Sequence, residues 1–171
     1  ERVNALKHGD PMSADTTLAP MSRLDIRDKV HQQVLASIAE GARPLTGCKP
    51  IEGTGYFYAP SVLDNVQLGM TAFNEEIFGP VAAIVAVRDE ADAIAQANAT
   101  RFGLGASIWT EDLEKGEAIL RQLDVGCGFV NAQVASDVRM PFGGTKASGL
   151  GRELGISGIR EFCNAKSIWI Q

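Results

Sequence analysis

An α/β fold with a partial parallel sheet is the class this sequence predicts, and three observations predict it. The segment VAAIVAV (81–87) is a nearly continuous apolar run, the pattern of a parallel strand covered on both faces. EADAIAQANAT (90–100) and DLEKGEAILRQL (112–123) carry helical composition and spacing, the second with Leu113, Gly116, Leu120 and Leu123 on one stripe. GLGASIWT (103–110) and VGCGFVNA (125–132) read as strands, so the order is strand, helix, strand, helix, strand, which implies parallel pairing through crossover helices.

The flanking elements follow in chain order. ERVNALKHGDP begins at once in a helical pattern, with Val3 and Leu6 on one face, Lys7 and His8 in the last turn and Gly9 as C-cap. No capping residue precedes it, so the chain reads as starting inside a helix and the domain as incomplete. A polar, Pro-punctuated loop runs from Asp10 to Met21. Ser22 is the expected N-cap of a helix reaching Ala39, with Val30, Val34, Leu35 and Ile38 at helical spacing and Gly41 as its stop. RPLTG is a short strand, CKPIEGTG a turn, and YFYAPSVLDNV extended, with Pro60 putting it at an edge or bulge. At the far end a helix is expected from about Arg152 to Phe162, then KSIWIQ as a final strand.

Composition narrows the function. Of 171 residues, 45 % are hydrophobic and 22 % charged, which is a folded globular balance. The net charge of −5, without a Lys/Arg cluster, argues against nucleic-acid and anionic-membrane partners. No apolar run is long enough to span a bilayer and no signal-peptide pattern opens the chain. Cys48, Cys127 and Cys163 have neither metal-ligand spacing nor an even count, as expected for reduced thiols in a cytoplasmic protein. Cys127 and Cys163 read as small buried thiols and Cys48 as a turn residue open to solvent. His8 and His31 lie on expected helices with no metal-type spacing between them. The sequon at Asn98 reads as chance.

Two motifs remain. PFGGTKASGLGRELG (141–155) is glycine-rich, but Lys146 follows the wrong glycines for a Walker A loop, and Gly149, Gly151 and Gly155 are one residue too widely spaced for G-x-G-x-x-G. A tight backbone crossing before a capped helix suits it better. NEEIFGPV (74–81) puts two carboxylates and an aromatic at the mouth of the apolar strand; alone, Glu75 and Glu76 read as a solvated pair.

Together NEEIFGPV, FGLGASIWT (102–110), Val130-Asn131 and PFGGTKASGLGRELG resemble the C-terminal part of the aldehyde dehydrogenase superfamily, in order and spacing across essentially the whole chain. Within it, ASDVRMPFGG and GIREFCNAKSIW most resemble bacterial NAD-dependent succinate-semialdehyde dehydrogenases. The resemblance implies a Rossmann-like three-layer sheet. Residues 1–150 would be part of the catalytic domain, and 151–171 a helix and strand leading to the oligomerisation region of a dimer or tetramer.

The resemblance also implies roles. Glu76 would accept hydrogen bonds from the nicotinamide ribose hydroxyls of NAD or NADP, as an acceptor-only carboxylate can, and Phe78 would pack by the nicotinamide ring. Glu75 stays a solvated neighbour. Phe142 would line the aldehyde tunnel, with Ser136 and Arg139 on the loop that anchors the substrate, suited to a distal carboxylate. The nucleophilic Cys, the general-base Glu and most of the dinucleotide site of the family belong upstream of this chain. No catalytic residue and no metal ligand is therefore assigned here, and the isolated chain is expected to be inactive. The alternative is a truncated, non-catalytic remnant acting as an oligomerisation or interaction module.

Overall fold

A computed structural model describes residues 1–171, which fall into two units, Glu1–Val87 and Arg88–Gln171. The first unit is organised by α1 (Leu24–Ala39), whose inward face buries Val30, Gln33, Val34 and Ser37. Ser22 is not its N-cap. Arg23, extended at φ −149°, holds that position with no side-chain cap, and its guanidinium pairs with Asp25 of the first turn at 2.8 Å. The acid beside the free N–H groups supplies the electrostatic part of a cap. Gly41, at φ +115°, lies just beyond the helix end, as expected.

Against α1 lies a three-stranded sheet in the order β1 (Arg43–Thr46), β2 (Ser61–Asp64), β3 (Val81–Ala83). β1 runs antiparallel to β2 with an irregularity between Pro44 and Thr46, whereas β3 runs parallel to β2. The strand after Pro60 is thus central, not an edge; Pro60 stands just before its first residue, where a missing N–H breaks no ladder bond. Val30, Val34, Ala42, Tyr58, Leu63 and Val66 form the core, each no more than 4 % exposed. The expected covering of 81–87 on both faces does not hold: β3 is the edge, Ala82 and Ala83 are exposed, and Ile84 and Val87 are each 44 % exposed.

The N-terminal segment also departs from expectation. Only a 3-10 turn, Val3–Ala5, forms there, Leu6 is extended, and His8 bridges to Leu18. The Val3 and Leu6 stripe is not fully buried, Val3 being half-covered and Leu6 exposed, and a single such turn does not propagate.

In the second unit, α3 (Glu90–Ala99) is capped by Asp89, which accepts from the Asp92 amide at 2.8 Å; α4 (Leu113–Leu120) is capped by Asp112, which accepts from the Lys115 amide at 3.0 Å. (The short helix Thr71–Asn74 of the first unit is α2.) β5 (Gly105–Ile108) and β6 (Cys127–Val130) pair in parallel, Gly105 to Cys127 through Ile108 to Val130, with α4 as the connection. β4 (Phe102–Gly103) pairs instead with β7 (Thr145–Lys146), antiparallel. Gly116 lets α4 sit on this pair, since a Cβ there would stand 3.0 Å from a Val130 methyl. Leu113, expected on the buried stripe, is 62 % exposed.

α5 (Gly155–Glu161) starts later than expected and has no side-chain cap; Leu154, at φ +63°, precedes it. The residues before it are engaged in a reciprocal bridge in which the Phe142 and Glu153 amides each donate to the other's carbonyl at 2.8 Å. The tail 163–171 forms no strand. No strand of the chain pairs with it, and Ile168, Trp169 and Ile170 are 75, 90 and 89 % exposed.

Candidate functional site

The NEEIF loop is built on α1. Gln33, Ser37 and Glu40 recur on one helical face, and each holds part of the segment 71–76. Glu40 takes the Thr71 amide at 2.6 Å and its hydroxyl at 2.8 Å, capping α2 from outside. Ser37, fully buried, donates to the Gln33 carbonyl at 2.8 Å and accepts from the Ala72 amide at 3.0 Å. Gln33, 6 % exposed, donates from Nε2 to the Glu75 carboxylate at 2.8 Å and to the Glu76 carbonyl at 3.1 Å.

The two acids therefore differ. Glu75 is not merely solvated: its carboxylate is tied to a buried amide. Its backbone is extended (φ −111°, ψ 151°), a geometry in which successive side chains take opposite sides. Glu76 is exposed and is held through its backbone carbonyl, leaving its carboxylate an acceptor facing solvent. Ile77 then packs on the core, and Phe78 presents a ring that is 69 % exposed. Gly79 follows, close against Val30 and Met21. An anchored loop that displays one free carboxylate and one bare ring can accept hydroxyl protons and offer a flat apolar face side by side.

The PFGG segment is a backbone crossing. A Cβ at Gly126 would fall on the Gly143 carbonyl, so the loop and the entry to β6 touch main chain to main chain. Arg152 donates from Nη1 to the Gly144 and Gly151 carbonyls, both at 2.7 Å. Lys146 donates to the Asn98 and Thr100 carbonyls at 2.9 and 3.3 Å, placing a cation at the C-terminal end of α3. Asn98 itself donates to the Gln122 carbonyl and accepts from the Asp124 amide, each at 2.8 Å, so its amide is structural. Asn131 closes the end of β5–β6 by exchanging bonds with the Thr110 backbone at 2.9 and 2.7 Å.

Phe142 is half-buried and lines an open cleft of about 400 Å³ with Leu104, Ser148, Arg152 and Glu161. Ser136 and Arg139 lie on the neighbouring loop and do not line it. Ser136 is exposed. Arg139 forks onto Asp137 at 2.8 and 2.6 Å, which holds the Asp137 carboxyl below its ordinary range and raises the guanidinium. Glu76 and Phe78 belong to the first unit and the other three candidates to the second.

The three cysteines differ in their surroundings. Burial pushes the Cys48 thiol up, against the opposing effects of Ser61 and the Val62 carbonyl. Cys48 is half-buried, not open to solvent; Cys127 is half-buried in β6; Cys163, expected to be buried, is exposed because it follows the uncovered end of α5. His31 shares a hydrogen bond of 3.2 Å with the buried Tyr58, and the exposed His8 lies tilted beside Phe57, ring centroids 5.7 Å apart. No group of acidic, His or Cys side chains could hold a metal ion, and no helix is long and apolar enough to cross a membrane.

Sequence reasoning overlooked Gln33, Ser37 and Glu40. The available signal was the pair of polar residues at 33 and 37, three positions after Val30 and Val34 and so on the same inward face.

Comparison with known proteins places these features in a family. The model of the Aldehyde dehydrogenase family matches residues 1–168. A succinate semialdehyde dehydrogenase [NAD(P)+] of Escherichia coli is 47 % identical over 165 residues, covering 96 % of this chain and 36 % of the relative. A succinate-semialdehyde dehydrogenase [NADP(+)] of Mycobacterium avium is 42 % identical over 170 residues, covering 99 % and 36 %. Among solved structures, an NAD-dependent aldehyde dehydrogenase of Sinorhizobium meliloti superposes with a TM-score of 0.90 at 38 % identity, covering 94 % of this chain and 32 % of that one. The Mycobacterium tuberculosis aldehyde dehydrogenase complexed with NAD+ gives 0.89 at 41 %, covering 94 % and 33 %. The chain spans about a third of the length of the relatives it matches.

Proposed function

Because the chain belongs to the aldehyde dehydrogenase family, we propose that it is the C-terminal part of an enzyme that oxidises an aldehyde to a carboxylic acid with NAD or NADP, with succinate semialdehyde as the substrate. The observation that carries the reading is the NEEIF loop, which is anchored from below by α1 and leaves the Glu76 carboxylate and the Phe78 ring free. These two groups fit the ribose and nicotinamide end of the dinucleotide. An ionised carboxylate accepts from a vicinal diol, and an exposed aromatic face beside it orients a planar ring. When bound, the nicotinamide supplies the acceptor for the aldehyde hydride.

The remaining assignments rest on the second unit. Phe142 lines the cleft that would form part of the aldehyde path. Ser136, with an exposed hydroxyl, would donate to the distal carboxylate of the substrate, and Arg139 would offer on the same loop the Nη1 donors that its fork onto Asp137 does not use. The nucleophile and base are supplied by the part of the enzyme outside these residues. Residues 1–150 belong in this reading to the catalytic domain, and 151–171 lead to the subunit interface of a cytoplasmic dimer or tetramer.

The test is Glu76→Gln in the full-length dehydrogenase. The KM for the dinucleotide should rise roughly tenfold, the loss of a hydrogen bond to a charged group, with the KM for aldehyde unchanged. An unaltered dinucleotide KM overturns the assignment. Purified 171-residue chain should form no NADH from succinate semialdehyde; NADH production that disappears when one of its cysteines is replaced would overturn the placement of the nucleophile elsewhere.

A further inference from the structure

We infer that Gln33 is a positioning residue for the dinucleotide site: its buried carboxamide sets the direction in which Glu76 and Phe78 face. The inference rests on the reading of Glu76 as a cofactor ligand and goes beyond it by assigning the orientation of that ligand to a residue on another element.

Gln33 is 6 % exposed, on the same inward face of α1 as Val30 and Val34. A buried carboxamide is retained only if its donors are met, and the two N–H groups of Nε2 have two acceptors, the Glu75 carboxylate at 2.8 Å and the Glu76 carbonyl at 3.1 Å. Those acceptors belong to consecutive residues, one on a side chain and one on the backbone. Together they fix both the rotation of the chain at 75–76 and its distance from α1. With the Glu75 side chain drawn to Gln33 and the backbone extended there, the Glu76 side chain is set to the opposite side. Ile77, packed on the core, and Phe78, 69 % exposed, continue the alternation.

The platform beneath is itself fixed. The Gln33 carbonyl accepts from Ser37, and Ser37 holds the Ala72 amide, so α2 and the loop after it are tied to successive turns of α1. A carboxylate that must meet two ribose hydroxyls gains from such preorganisation, because the loop entropy is already removed before the ligand arrives.

The experiment compares Gln33→Met with Glu76→Gln in the full-length dehydrogenase. Gln33→Met keeps the side-chain length and removes both donors. The expected result is a rise of roughly tenfold in the dinucleotide KM, with a smaller change in kcat and none in the aldehyde KM. A merely structural Gln33 would lower the amount of active enzyme, hence kcat alone, and leave both KM values in place; that result overturns the proposal. If Glu76→Gln raises the dinucleotide KM and Gln33→Met does not, the positioning role fails while the cofactor reading stands. If neither variant moves it, the cofactor reading fails first and the proposal with it. Should Gln33→Met not fold, Glu75→Ala cuts one of the two bonds from the exposed side. It must then raise the dinucleotide KM in the same direction by a smaller factor, and an unchanged value overturns the proposal.

Discussion

The two units of this chain bury different things. Glu1–Val87 has a side-chain core, with Tyr58, Leu63, Val34 and Val66 at or below 1 % exposure. In Arg88–Gln171 the buried residues are Gly103, Gly116, Gly144 and Gly158, every one a glycine. Its Leu and Ile side chains are half-buried or exposed, and close contact is made by backbone on backbone, as where Gly126 meets the Gly143 carbonyl. One unit is thus stabilised chiefly by apolar area removed from water, the other by hydrogen bonds and tight crossings. The same chain therefore tolerates opposite kinds of substitution in its two parts.

That contrast can be broken by mutation. The largest effect is expected for Leu63→Ala in β2, about 2–5 kcal/mol by urea unfolding of the purified chain, because a fully buried side chain leaves a cavity. In the second unit the sign of tolerance reverses. Gly126→Ala, which adds one methyl, should lose about 1–3 kcal/mol through overpacking, whereas Leu113→Ala, which removes three carbons from a side chain 62 % exposed, should change stability by less than about 0.5 kcal/mol. Equal effects of the two substitutions would remove the distinction. Asp112→Ala should then lose about 1 kcal/mol, the worth of an N-cap, visible in the same unfolding curves as a loss from the second unit.

The smallest effect is a pH dependence. The folded-state pKa of Cys48 is raised, so the folded chain holds this proton more tightly than the unfolded one. Its stabilisation is complete below the ordinary thiol range and is lost as the pH rises from there through the raised folded-state value. Cys48→Ala should flatten that alkaline decline. A thiol titration with a disulfide reagent should modify exposed Cys163 first and Cys48 last; rapid labelling of Cys48 would contradict its burial.

Much of this was legible in the residues. The helices at 24–39, 90–99 and 113–120 follow from composition and apolar spacing, and the parallel β5–β6 pair follows from the order of elements, whereas β3, expected in the same parallel sheet, pairs with β2 instead. Three of the failures share a physical origin. The N-terminal helix, the C-terminal strand and the second face of β3 each needed a cover that the chain does not fully supply, and pattern alone assumes one. Glu76 and Phe78 could be singled out by motif; the inward polar position of Gln33 was also readable from helical spacing, but its partner was not, since that acceptor lies 42 residues away. Arg139 shows the converse: its type suggests ligand binding, while its fork onto Asp137 is a contact between near neighbours.

The glycine crossing has a consequence in time. The Phe142 and Glu153 amides, the Gly126 amide on the Gly103 carbonyl and the Ala147 amide on the Arg101 carbonyl all lie in segments with little apolar cover, yet each is closed by a bond across the chain. In deuterated solvent their protons should exchange together, on the opening of the whole crossing, and the slowest amides of the second unit should trace its glycines, not its leucines.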